Sequence, residues 1–181
     1  MRRLPVYLVI DTSATMRGKP IEAVKNGLQI FIDALKQYSY AMEAAFLSII
    51  TFDSIAQQIV PLTELVSFSI PVFKTGGNVS MGAALKLVAN KINVDVRQSA
   101  LVFILTNSEP TDDWQTGIAE FDKCQKRWVC VYPLGKTANK SILKQIKRSS
   151  IIELSNLDSI GESIFEQFRQ IIITGTEINN G

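Results

Sequence analysis

Short apolar runs alternate with amphipathic stretches along this chain. The apolar runs are typical of strands buried on both faces of a parallel sheet, and they cover Leu4–Ile10, Ala45–Phe52, Ala100–Thr106, Trp128–Leu134 and Ile151–Leu154. Between them, apolar residues recur at steps of three and four, which predicts helices that begin near Pro20, Met81, Trp114, Ser141 and Asp158. This alternation predicts a doubly wound α/β fold with a mainly parallel six-stranded sheet and helices on both faces.

One further strand is predicted at Ile55–Val60, only two residues after the strand at Ala45–Phe52. So short a connection permits only a hairpin, which makes this strand antiparallel and places it at an edge of the sheet. Ser80 is predicted to cap the helix that follows it. The 181 residues fit a single domain over residues 1–175, with a polar tail over 176–181 that we expect to fray.

Three loops follow strands and should meet at the carboxyl edge of the sheet, where open α/β sheets bind ligands. They are Asp11–Met16, Thr75–Ser80 and Asn107–Asp113. In the first of them, Asp11, Ser13 and Thr15 place a carboxylate and two hydroxyls at alternate positions. Mg²⁺ prefers such oxygen ligands. The same residues also commonly shape strand-to-helix turns, and the pattern alone leaves both interpretations open.

Composition excludes several functional classes. The chain has no histidine, which excludes His-dependent triads and most zinc chemistry, and it has no phosphate-binding glycine motif. A net charge of +2 without a basic stripe argues against nucleic-acid binding. The apolar run near the N-terminus is too short to span a membrane or to serve as a signal peptide, so we expect a cytoplasmic protein. Cys124 and Cys130 are not spaced as a zinc or redox pair and are expected to be buried thiols.

The D-x-S-x-[ST] pattern of Asp11–Thr15 resembles the opening of the metal-ion-dependent adhesion site of von Willebrand factor A (vWA) domains. The stretches MRRLPVYLVIDTSATMRGKPIEAVKNGLQ, LSIITFD, VPLTEL, GAALKL and EPTDDWQ are similar to TerY-type vWA proteins linked to bacterial tellurium-resistance operons. This resemblance implies a Rossmann-like vWA fold and a non-enzymatic protein–protein interaction module. It also implies partners among phosphatase- or kinase-like proteins encoded nearby.

The metal site of the family carries over only in part. Its first segment is kept as Asp11, Ser13 and Thr15. Its second segment, normally G-G-T-S-x-G with threonine as a ligand, is one residue longer here, in Gly76–Gly82. Depending on the register, Asn78 or Val79 stands at the threonine position, and valine cannot bind metal.

The third segment, normally T-D-G-E-P-T-D, reads T-N-S-E-P-T-D over Thr106–Asp112, so Asn107 replaces an aspartate that lies near the metal. Losing a carboxylate weakens the attraction for a divalent cation. We therefore expect Mg²⁺ to bind weakly or not at all, with Glu109 and Asp112 as candidate substitute ligands.

An enzymatic alternative is a Mg²⁺-dependent phosphohydrolase of the haloacid-dehalogenase type. Asp11 would be its nucleophile, with Thr15 and the pair Asp112–Asp113 in supporting roles. Ser13 stands where such an enzyme needs a second aspartate as acid and base, and a hydroxyl cannot replace that group near neutral pH. The sequence therefore favours the interaction module.

Overall fold

One mixed sheet of six strands forms the middle layer of the protein, whose computed structural model describes residues 3–94 and 98–179. The strands are β1 (Leu4–Asp11), β2 (Ala45–Phe52), β3 (Ala56–Glu64), β4 (Ala100–Thr106), β5 (Arg127–Pro133) and β6 (Ser149–Ile151). They lie in the order β3-β2-β1-β4-β5-β6, and every neighbouring pair is parallel except β2 and β3. The predicted mainly parallel sheet with one antiparallel edge strand is confirmed.

Helices cover both faces of the sheet because its central strands are apolar on both sides. Along β1, Val6, Leu8 and Ile10 pack into one core, and Tyr7 and Val9 pack into a second core on the opposite face. The first core is closed by α1 (Lys19–Lys36), α2 (Ser39–Ala44) and α6 (Ile160–Asn179), and the second by α3 (Met81–Val94), α4 (Trp114–Asp122) and α5 (Lys140–Leu143). Each side chain of β4 is buried, as its continuous apolar run predicted.

The structure differs from the sequence prediction in β3, α2 and β6, and β6 covers Ser149–Ile151 rather than the predicted Ile151–Leu154. β3 extends to Glu64 rather than ending at Val60, and it includes Pro61, which an edge strand tolerates because its outer side needs no hydrogen bond. The six-residue helix α2 was not predicted, since so short a helix gives almost no periodic signal. The backbone of residues 176–179, part of the predicted polar tail, is helical, and residues 180–181 lie outside the described residues. The fraying of this tail stays a prediction.

Both cysteines are buried and unpaired, in agreement with the prediction. Burial raises the pKa of the Cys130 thiol to about 11 and also raises the pKa of Cys124. Both thiols are therefore protonated and unreactive near neutral pH. Within residues 3–94 and 98–179, none of the helices combines the length and the apolar character that crossing a bilayer requires.

The first turns of α3 and α4 approach each other through two glycines. A β-carbon added to Gly117 would lie 2.4 Å from the α-carbon of Gly82, and one added to Gly82 would lie 2.6 Å from the backbone oxygen of Asp113. Both distances are far below van der Waals contact with backbone atoms. This close approach holds the third loop, which precedes α4, against the beginning of α3.

Replacing Gly117 with alanine should lower the free energy of unfolding by about 1–3 kcal/mol, because the added methyl group can only be accommodated by separating the two helices. The matched control is Gly175→Ala, where an added β-carbon meets no atom within 4 Å. That change should be neutral or slightly stabilising, since alanine favours a helix over glycine. Urea unfolding followed by tryptophan fluorescence measures both, and equal stabilities of the two variants would contradict the close contact.

Candidate functional site

Asp11 ends β1 and connects it to the end of β4. Its carboxylate is fully buried. One oxygen accepts a hydrogen bond from the backbone N–H of Ser13 at 2.9 Å, and the other accepts from the Thr106 hydroxyl at 2.8 Å and from the backbone N–H of Asn107 at 3.3 Å. The carboxylate thus serves three donors at once. It fixes the first and third loops relative to each other at the carboxyl edge of the sheet.

Beside Asp11, three hydroxyls from two loops form a ring of hydrogen bonds. The oxygens of Ser13 and Thr15 are 3.1 Å apart, those of Ser13 and Ser108 are 3.0 Å apart, and Thr15 is directly hydrogen-bonded to Ser108. Ser13 and Ser108 are buried, whereas Thr15 is exposed. We refer to these three residues as the hydroxyl ring. Sequence analysis identified Ser13 and Thr15 as candidate site residues but not Ser108. The available signal was that Ser108 replaces the glycine of the family pattern T-D-G-E-P-T-D.

The second loop is tied to the first by backbone hydrogen bonds. Gly76 N–H donates to the carbonyl of Thr12 at 3.0 Å, and Ala14 N–H donates to the carbonyl of Gly77 at 3.3 Å. Gly77 has φ +78°, a left-handed conformation that glycine adopts readily, and a β-carbon there would collide with the Ser54 hydroxyl. The loop therefore turns sharply against both the first loop and the β2–β3 connection.

The two candidates for the usual threonine position have different surroundings. The Val79 side chain is buried among apolar residues of the second core, so it does not contribute to the polar site. Asn78 is exposed, and its backbone N–H donates to the Ser54 hydroxyl at 3.0 Å. Among the described residues, no hydrogen bond connects the Asn78 side chain to the hydroxyl ring. The second loop thus supplies position and shape but no threonine-like ligand.

In the third loop, the side chain of Asn107 is held by the loop that follows β5. Its amide oxygen accepts a hydrogen bond from the Thr137 hydroxyl at 2.9 Å, and its backbone oxygen accepts from the same hydroxyl. Gly135 allows this approach, because a β-carbon there would lie 2.4 Å from the amide oxygen. Glu109 is exposed at the wall of a cleft of about 710 Å³ that the loops after β5 and β6 line.

Asp112 and Asp113 stabilise the N-termini of two helices. The Asp112 carboxylate accepts from the backbone N–H groups of Gly82 and Ala83 in α3, at 3.0 and 2.8 Å. Asp113 caps α4 by accepting from Thr116 N–H at 3.2 Å, and hydrogen bonding to Thr116 holds the pKa of its carboxyl below the usual value. The prediction that Ser80 caps α3 is wrong, because its hydroxyl donates to the carbonyl of Ser54 instead.

These contacts also argue against the phosphohydrolase alternative. The acidic pair Asp112–Asp113 would have to assist Asp11, but both carboxylates already bond helix N-termini. Asp11 itself is buried and serves three donors rather than facing a substrate. In the described structure, Asp11 is therefore not an accessible nucleophile, and neither Asp112 nor Asp113 is positioned as its acid and base.

The residues present do not fit a hard divalent cation as they stand. Mg²⁺ is usually held by one or two carboxylates, but the Asp11 carboxylate, which the structure bonds into the same two loops as the hydroxyl ring, already serves three donors. Asn107 is neutral and bonded to Thr137, and Asp112 is bonded to α3. Over the part of the chain that the structure describes, no group of three or more His, Cys, Asp or Glu side chains could hold a metal ion.

The predicted convergence of the three loops is confirmed by the bonds among them. Thr111 fastens the second loop to the third, since its N–H donates to the carbonyl of Val79 at 2.9 Å and its hydroxyl accepts from Val79 N–H at 3.0 Å. The fold and the site together define a doubly wound α/β domain. Three loops that are hydrogen-bonded to one another form the carboxyl edge of its sheet, the edge at which open α/β sheets bind ligands. The chain belongs to the von Willebrand factor type A domain family, whose family model matches residues 6–167.

Solved structures agree with this assignment at the level of the fold. The pilus adhesin SpaC of Lactobacillus rhamnosus GG has a TM-score of 0.78 at 14% identity, over 95% of this chain and 31% of that one. The PilB minor pilin of Streptococcus sanguinis (D319A mutant) has 0.76 at 12% identity, over 99% and 63%. A von Willebrand factor type A protein of Catenulispora acidiphila has 0.73 at 15% identity, over 91% and 42%.

The chain covers less than two thirds of the length of each of these three proteins. Another similar structure, proximal thread matrix protein 1 of the mussel byssus, was solved with a zinc-occupied MIDAS motif, at a TM-score of 0.67 and 15% identity, over 91% of this chain and 44% of that one. No curated protein sequence matches the chain. At these identities the similarity concerns the fold alone.

Proposed function

We propose that this chain is a non-enzymatic protein–protein interaction module that binds its partner at the edge formed by its three loops, with weak or no dependence on Mg²⁺. The observation that carries this proposal is the mutual hydrogen bonding of the three loops, which presents exposed polar residues on a preformed surface. A preformed surface loses little conformational entropy on binding, which favours association. The cleft beside Glu109 extends the same surface.

A non-enzymatic role is supported by what the candidate catalytic groups already do. The sequence has no histidine. Asp11 is buried with three hydrogen-bond donors, and the carboxylates of Asp112 and Asp113 stabilise helices. None of these three carboxylates, as the described structure places them, is therefore free to act as a nucleophile or as its adjacent base, which covalent and acid–base catalysis require.

The resemblance to TerY-like proteins suggests the biological setting. The motif E-P-T-D-D-W after β4 and the D-x-S-x-[ST] loop after β1 are its most particular features. On this basis we propose a cytoplasmic bacterial protein of a tellurium-resistance or related stress system. Its partners would be phosphatase- or kinase-like proteins encoded in the same operon.

The test is to immobilise the chain and measure its affinity for those operon-encoded proteins, once with EDTA and once with Mg²⁺. We expect the same dissociation constant in both buffers. Glu109→Lys, which reverses an exposed charge at the edge, should weaken binding about tenfold, roughly 1.4 kcal/mol.

The control variant is Lys91→Glu, which also reverses the charge of an exposed residue. Lys91 lies near Arg3 and Pro5, at the opposite edge of the sheet. Its affinity should equal that of the wild type. The proposal would be overturned if none of the operon proteins bound, or if the control weakened binding as much as Glu109→Lys. Binding that EDTA abolished would keep the interaction role and refute its independence from metal.

A further inference from the structure

Ser108 contributes the hydroxyl that connects the first and third loops. Its side-chain oxygen lies 3.0 Å from that of Ser13 and is hydrogen-bonded to that of Thr15. The backbone N–H of Ser108 also donates to the Thr106 hydroxyl at 3.2 Å, and that hydroxyl donates in turn to Asp11. Ser108 is thus held in place from both its backbone and its side chain, and only 2% of its surface is exposed.

The hydroxyl ring satisfies its own hydrogen-bonding groups. Each hydroxyl has one donor and can accept twice. If Ser13 donates to Thr15, Thr15 to Ser108 and Ser108 to Ser13, then all three donors are used and each oxygen accepts once. Buried polar groups need such partners, and Ser13 and Ser108 find theirs within the protein.

A cation held by Ser13 and Thr15 would have to share their oxygens with Ser108. Magnesium–oxygen distances are about 2.1 Å, and each coordinating hydroxyl must turn a lone pair towards the ion. The oxygens of Ser13 and Thr15 are 3.1 Å apart, and the Ser108 oxygen is within hydrogen-bonding distance of both. The ion would therefore bind two oxygens that Ser108 already holds, while the carboxylates of Asp11 and Asp112 that could favour it are bonded to other donors.

We infer that the Ser108 hydroxyl takes over the connecting role of a bound cation and holds the first and third loops together without any ion. The arrangement of the edge is then permanent and does not respond to the concentration of divalent metal. This inference rests on the proposed function in one respect: it concerns the same edge that we propose as the partner-binding surface. It identifies Ser108 as the residue that makes this edge independent of metal.

The test has two measurements: the heat of Mn²⁺ and Mg²⁺ binding, by calorimetric titration, and the melting temperature of each variant. The wild type should give no binding heat. The double substitution Asn107→Asp with Ser108→Gly removes the connecting hydroxyl and restores a carboxylate, so it should give a measurable Mn²⁺ binding heat under the conditions in which the wild type gives none. If this variant does not fold, Asn107→Asp with Ser108→Ala tests the same change without adding a glycine.

The single substitution Ser108→Ala should lower the melting temperature by about 2–4 °C, as expected for losing a net hydrogen bond in a chain of this size. The matched control is Ser80→Ala, whose hydroxyl bonds the carbonyl of Ser54 outside the ring. Ser108→Ala should shift the loop amides in NMR spectra around Ser13 and Thr15, whereas Ser80→Ala should not.

The inference is overturned if the wild type binds Mn²⁺ and Ser108→Ala weakens that binding, since Ser108 would then be a ligand. It is also overturned if neither double variant gains affinity, or if Ser108→Ala leaves the loops unchanged. None of these results depends on a partner. Failure of the partner-binding assay would therefore refute the proposed function separately.

Discussion

Replacing Asp11 with alanine should lower the free energy of unfolding by at least about 3 kcal/mol. The change leaves three donors without their acceptor at the junction of β1 and β4, namely Ser13 N–H, the Thr106 hydroxyl and Asn107 N–H. Each unsatisfied buried donor costs about 1–3 kcal/mol, although water entering the site offsets part of this. Urea unfolding followed by circular dichroism measures the loss.

The control for this prediction is Asp33→Ala on the exposed side of α1, where the carboxylate accepts one bond from Gln29 at 2.9 Å. Its effect should stay within about 0.5 kcal/mol. If Asp11→Ala were no more destabilising than Asp33→Ala, the structural role that we assign to Asp11 would be refuted.

This expectation decides how metal binding should be tested in this protein. A loss of binding in an Asp11 variant would not distinguish a lost ligand from a disturbed loop, because the same carboxylate holds the strand ends together. Thr15→Val is the better probe. It removes a hydroxyl from an exposed position and leaves every hydrogen bond of Asp11 intact.

The second large effect is expected at Arg127, the first residue of β5. Its side chain is fully buried, donates to the Asp122 carboxylate at 2.8 Å and to the carbonyl of Lys147 at 3.1 Å, and lies 4.3 Å from the centre of the Phe121 ring. Arg127→Met should cost about 3–5 kcal/mol, the range typical of breaking a buried ion pair from one side. Chemical denaturation gives this value directly.

Two comparisons make this prediction specific. Lys123→Ala removes an exposed ion pair with Glu120 at 2.8 Å and should leave stability nearly unchanged, because water screens exposed charges. Combining Arg127→Met with Asp122→Leu should recover part of the loss, because the carboxylate is then no longer left without its cation. No recovery in the double variant would indicate that the hydrogen bonds from Arg127 to backbone carbonyls dominate its contribution.

Much of the fold could be predicted from the sequence because the signals are local. A strand buried on both faces appears in the sequence as a continuous apolar run, as in Ala100–Thr106. An amphipathic helix appears as apolar residues that recur every three or four positions. Parallel order then places the loops that begin at Asp11 and Asn107 at one edge. The contribution of Asp11, Ser13 and Thr15 to that edge followed from the same pattern together with the family resemblance.

The helix caps show where local signals were insufficient. Ser80 precedes α3 and has the chemistry of a cap, but Asp112, 30 residues further along the chain than Gly82, takes that role. The choice between them depends on the close packing of Gly82 against Gly117, which brings the third loop to the end of α3. Capping patterns in a sequence involve residues close together in the chain, whereas Asp112 is close to the beginning of α3 only in the folded structure.

The sequence by itself determined the class of fold, the edge that carries the site and the loss of charge at Asn107. Only the tertiary structure decided that Val79 joins the core, that Thr137 holds Asn107, and that Ser108 joins the hydroxyl ring. The reason is physical: each strand or helix is predicted by the pattern of apolar and polar residues within one short segment of the chain. Hydrogen bonds between residues up to 96 positions apart exist only once the sheet has aligned the ends of its strands.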